Sequence, residues 1–106
     1  MITAYATQRG DKSRLWIEGH ASEGQDREAA CAAVSALVQS LVLYAVASNA
    51  RHLRYQLAPG KAFFSCHGLQ RPFEMVLCGL CAIAREHPEH LQIKSAVAVN
   101  DKCDGT

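Results

Sequence analysis

The chain has 106 residues, of which 49% are hydrophobic and 20% charged, with a formal net charge of +1. That length supports one domain with a modest core, and the near-neutral balance excludes a basic tail or a strong uniform field, so no direct nucleic-acid partner is expected. Five cysteines at irregular spacing fit reduced thiols in a cytoplasmic protein rather than a disulfide framework.

In chain order, Met1 to Thr7 and Ser13 to Glu18 read as two strands around a turn at Arg9-Gly10-Asp11. Leu15 and Ile17 alternate with Arg14, Trp16 and Glu18, which gives the second strand one apolar face. Asp26 stands where it can cap a long helix running to about Asn49, with Val34, Leu37, Val38, Leu41 and Tyr44 at three-and-four spacing. The apolar run from Ala29 to Ala47 approaches membrane-spanning length, but Ser35, Gln39 and Ser40 interrupt it. A central core helix is expected, and no membrane partner.

His52 to Leu57 alternates again, Pro59-Gly60 suits a tight turn, and Ala62 to His67 returns as a hairpin partner. Pro72 fits the first turn of a second helix whose stripe is Phe73, Val76, Leu77, Leu80 and Ala84, and Pro88 stops it. Leu91 to Val99 alternates as a last strand. The order ββαββαβ predicts an α+β fold: a mainly antiparallel five-stranded sheet with two helices packed on one face. Residues 1–100 form a single domain in this reading, and 101–106 a loose polar tail.

The chemistry concentrates between Gly19 and Ser35. His20 leaves the end of a strand, and Cys31 lies in the opening turns of a helix. The polar, Gly-containing segment Ser22 to Arg27 joins them and is able to swing over a substrate. A thiol is a strong nucleophile only as the thiolate, which a neighbouring histidine or a helix N-terminus favours. Glu28, Cys31 and Ser35 fall at i, i+3 and i+7 on one helix stripe, extended by Gln39. A lone cysteine in an alanine-rich helix is ordinarily core filler, and a histidine at a strand end an ordinary surface residue.

The run Ile17-Glu18-Gly19-His20-Ala21, then Gly24, then Cys31-Ala32-Ala33-Val34-Ser35-Ala36-Leu37 resembles the ribosomal-processing cysteine proteases called Prp. These small bacterial enzymes trim the N-terminal extension of a large-subunit ribosomal protein. The resemblance implies His20 and Cys31 as catalytic pair, Ser35 in the place of the motif serine, a ribosomal protein precursor as peptide substrate, and a homodimer. One departure stands out. The family carries an Asp three positions before the cysteine, whereas here Glu28 holds that offset and Asp26 lies two residues earlier. Ser35, Glu28 and Asp26 are thus candidate supporting residues, with Gly19 and Gly24 candidates for close approach of loop or substrate. The departure also motivates an alternative, a Prp-fold protein that grips a peptide or the ribosome without cutting.

Other motifs carry less. Cys78-Gly79-Leu80-Cys81 has redox or zinc spacing, with His87 and His90 downstream, but it lies inside a helix without a second pair. Packing is expected there, and neither metal nor cofactor. Cys66 and Cys103 carry no motif. Phe63 and Phe64 beside Arg54 and Lys61 are similar to a base-stacking surface, although packing of one Phe in the core and exposure of the other is the simpler reading.

Overall fold

The computed structural model describes residues 1–95. In chain order its elements are β1 (Ile2–Arg9), β2 (Lys12–Glu18), α1 (Arg27–Ala47), β3 (Arg51–Ala58), β4 (Lys61–His67), α2 (Gln70–Glu86) and β5 (Leu91–Ser95). This is the expected ββαββαβ order. The far end of the last expected strand, Cys103 and the expected tail lie outside the described residues.

The strands form one sheet in the order β3-β4-β2-β1-β5. Every pairing is antiparallel except β1 with β5, where Ile2 faces Leu91 in parallel register. Strict alternation in β2 turns Ser13, Leu15 and Ile17 inward and Arg14, Trp16 and Glu18 outward. Both helices cover the inward face. Ala4, Ala6, Leu15, Ile17 and Phe64 of the sheet form one buried cluster with Val34, Val38 and Leu41 of α1 and Phe73, Leu77 and Leu80 of α2. Phe64 and Phe73 stack inside it with ring centroids 6.4 Å apart.

By length and composition α1 is apolar enough to cross a membrane, yet it lies against the sheet and α2 and buries one side only. On its outer side Leu43, Tyr44 and Val46 are exposed. Where the helices meet, Gly79 faces Leu37, and a Cβ on Gly79 would stand 2.8 Å from the nearest Leu37 methyl. The glycine of the Cys-Gly-Leu-Cys run therefore serves helix packing.

Edge strand β3 departs from the alternation argument. Leu53, Tyr55 and Leu57 share the helix-side face, but Leu53 is half-buried and the other two are exposed. The helices do not reach far enough across to cover this edge, so an apolar stripe overhangs beside α1.

Candidate active site

An open cavity of ≈ 350 Å³ lies between α1, the end of β2 and the β3–β4 turn. His20 and Cys31 both line it. Val34, Ser35, Val38 and Gln39 continue the α1 wall, one helical turn after another from Cys31, while Ile2 and Ile17 form the floor. The third side is the hairpin tip from Leu57 to Ala62. No sequence motif pointed to that hairpin; Pro59-Gly60 signals a turn, but not where the turn docks.

Each candidate residue now has a place. Gly19, His20, Cys31 and Ser35 come together around the cavity, whereas Gly24, Asp26 and Glu28 do not line it and are exposed. Gly19 adopts φ 96°, and a Cβ there would run into the Met1 carbonyl, so close backbone packing fixes the strand end from which His20 leaves. Gly19 N–H also donates to the Gly60 carbonyl at 2.9 Å, tying the β3–β4 turn to that strand end. Across this tie the imidazole lies on Gly60. A Cβ at Gly60 would stand 2.5 Å from His20 Nε2.

Two expectations for the connecting segment change. Asp26 occupies the N-cap position, but its backbone is left-handed (φ 64°) and its carboxylate makes no capping bond. Its carbonyl accepts from Ala30 N–H instead, at 2.9 Å. Nor is the segment a free flap, because three contacts brace it. Arg27 Nε donates to the Ala21 carbonyl at 3.2 Å, and Arg27 pairs with Glu23 at 3.0 Å. His90, 1% exposed, bonds through Nε2 to the Gln25 carbonyl at 2.7 Å. A carbonyl only accepts, so Nε2 donates in that bond, and the buried Nδ1 has no hydrogen-bond partner among the described residues. His90 was not recognisable as a bracing residue in the sequence, since its partner is a backbone carbonyl 65 positions away.

The remaining thiols sit elsewhere. Cys31 is half-buried, Cys78 exposed, and Cys66 and Cys81 buried; none of the four is in a disulfide. Burial pushes the Cys66 thiol up from its ordinary value, with the Asp11 carboxylate adding to the shift. Among the described residues no group of three or more His, Cys, Asp or Glu side chains is arranged to hold a metal ion.

Comparison with protein families matches the "Cysteine protease Prp" profile over residues 1–92. This chain belongs to the Prp cysteine protease family. Among solved structures, the fold of SMU.848 from Streptococcus mutans aligns with TM-score 0.69 and 26% identity over 90% of this chain and 93% of that one. The ribosomal processing protease Prp from S. aureus, in complex with a substrate peptide, aligns with TM-score 0.72 and 19% identity over 90% of this chain and 99% of its own. The same protease with a covalently linked product peptide gives TM-score 0.75 at the same identity and coverage. No relative among curated proteins matches. Membership in Prp makes the chain a cysteine peptidase by family, on a mixed sheet that is mostly antiparallel.

Proposed function

We propose that this protein is an endopeptidase that removes the N-terminal extension of a large-subunit bacterial ribosomal protein, using Cys31 as nucleophile and His20 as general base. The observation that carries this reading is the convergence of His20 and Cys31 on one open cavity in a chain of a cysteine protease family. His20 takes the thiol proton as sulfur attacks the scissile carbonyl, and the same imidazole then protonates the departing amine. Water hydrolyses the resulting thioester and releases the second product. The capture of a covalently linked product peptide on the related S. aureus protease is in keeping with such a covalent path.

Electrostatic stabilisation of the oxyanion falls to backbone donors. No side chain caps the start of α1, and this reading draws its donors from backbone N–H groups near Cys31. Ser35, at the cavity wall one turn beyond Cys31, is placed to contact substrate. Glu28 and Asp26, outside the lining, would act only through the helix start. Apolar walls at Val34, Val38 and Leu57 suit an extended peptide with small or aliphatic side chains.

The enzyme acts in the cytoplasm in this reading and pairs as a homodimer, for which the exposed Leu43, Tyr44 and Val46 of α1 offer apolar surface. Incubation with the extended ribosomal protein, followed by intact-mass measurement, tests the reading. Cleavage in the wild type, lost in Cys31→Ala and His20→Ala, is the expected result. Tight binding without cleavage by the wild-type protein would establish the non-cutting alternative that the Asp26–Ala30 departure motivates.

A further inference from the structure

The sheet face turned away from the helices carries a pattern that peptide cleavage does not use. Strand register sets Tyr5 of β1 opposite Trp16 of β2, and Trp16 opposite Phe63 of β4, so three rings form one row across adjacent strands. Tyr5 and Trp16 are each 40% exposed, and the Trp16 and Phe63 rings meet edge to face at 5.9 Å. Each ring has a cation over it. Lys94 Nζ lies 5.7 Å from the Tyr5 centroid, Lys61 Nζ 5.7 Å from Trp16, and the Arg14 guanidinium 6.0 Å from Phe63.

Register also orders the charges. Arg14 and Arg54 occupy the rank on one side of the rings, Lys61 the rank on the other, and Lys94 closes the β5 end. Arg14, Arg54, Lys61 and Gln56 surround a shallow depression with Trp16 and Phe63. Arg9 and Lys12 continue the positive surface beyond Arg14. Against them stands Glu18, which accepts from Trp16 Nε1 at 2.9 Å, while Asp11 is taken up by Arg51 and His67. The described carboxylates that offset these cations lie on the helices and their loops: Glu23, Asp26, Glu28, Glu74, Glu86 and Glu89. A net charge of +1 therefore conceals a molecule with one strongly positive face.

We propose that this face binds single-stranded RNA, with bases stacked on Tyr5, Trp16 and Phe63 and phosphates held by the flanking cations. Neighbouring strands lie about 4.8 Å apart, so rings on successive strands can each receive a base of an unstacked chain. A duplex hides its base faces and would engage only the cations; an acidic protein would have no need of three rings in line. Gln56 at the end of the row and Thr7 beside Arg14 supply an amide and a hydroxyl for ribose 2′-hydroxyls. The surface lies across the sheet from the Cys31 cavity and meets it only at Lys61 in the hairpin tip, so the proposal stands independently of the peptidase reading.

Trp16 is the only tryptophan in the chain, so its emission reports stacking directly. Titration of the full chain with oligouridine is expected to quench it saturably, with affinity falling as salt rises. Tyr5→Ala and Phe63→Ala each weaken binding about tenfold. Arg54→Ala reduces the salt slope by about one. All three variants keep the wild-type rate of Cys31 alkylation, which reports that the cavity is intact. Absence of quenching at low salt overturns the proposal. So does equal affinity for an RNA duplex or for oligothymidine, indifference to the ring substitutions, or preferential binding to phosphatidylserine vesicles.

Discussion

Gly60 holds the imidazole of His20 in place by having no side chain. Its φ of 72° is a left-handed value, and the space a Cβ would fill belongs to His20 Nε2. Gly60→Ala therefore combines a backbone cost of about 1–2 kcal/mol with displacement of the ring. The expected outcome is a folded variant with a modestly lower melting temperature and a much lower kcat, read by comparing thermal unfolding with turnover of the extended substrate. At Cys31 the relevant test is chemical. Iodoacetamide mapping by mass spectrometry near neutral pH should label Cys31 ahead of buried Cys66, whose thiol is pushed up by burial, and ahead of exposed Cys78. His20→Ala should slow Cys31 specifically and leave Cys78 unchanged. Equal rates for Cys31 and Cys78 in the folded wild type would count against an activated thiol.

Among the elements, the segment leading into α1 depends on a residue far away in sequence. His90 lies in the turn before β5, bonds the Gln25 carbonyl through its ring, and accepts from Ile2 N–H at 2.8 Å through its own carbonyl. Removing the ring by His90→Ala leaves an unfilled space and an unpaired carbonyl, at a cost of about 2 kcal/mol in urea unfolding. Hydrogen exchange should quicken at residues 22–28 before it does in the sheet. At the opposite end of the sheet, Asp11 accepts from Arg51 at 2.8 Å and contacts His67 Nδ1 at 3.0 Å, joining the β1–β2 turn to β3 and β4. The His67 hydrogen bond, helped by Arg51, holds the Asp11 carboxyl below its ordinary value of 3.8. A depressed carboxylate stabilises the fold above the unfolded value, and this contribution is lost as pH falls through the lower folded one. Asp11→Asn should therefore lower the melting temperature slightly near pH 6, with the difference from wild type closing as pH drops below 3.8.

Local pattern made the strands and helices readable, because alternation in β2 and the stripe of α2 each encode a buried face within a few residues. The Gly-His-Ala and Cys-Ala-x-x-Ser runs pointed to two walls of the cavity through their resemblance to the Prp pattern, not through periodicity. Long-range relations were not encoded like this. Parallel pairing of β5 with β1, docking of the Pro59-Gly60 turn against His20, and the His90 brace each join residues tens of positions apart. The Leu53-Tyr55-Leu57 stripe misled for a related reason: alternation marks which residues share a face, while cover depends on how far the helices extend.

On the scale of the whole molecule, charge and apolar surface are distributed unevenly. One sheet face is basic and aromatic, the helix side holds the described acids that offset it, and α1 exposes Leu43, Tyr44 and Val46. Sedimentation analysis should find a dimer that Leu43→Glu converts to a monomer, with the salt dependence of assembly weak because the surface is apolar.

The same long-range pairing has a temporal consequence for a chain made from its N-terminus. Ile2, a floor residue of the cavity, gains its parallel partner only when Leu91 arrives, and the Gln25 carbonyl waits for His90. The hairpins and α1 can assemble early, since their contacts are local. A nascent chain lacking the last described strand thus holds His20 and Cys31 on an unfinished scaffold, and their cavity is completed late in synthesis, when β5 pairs with β1.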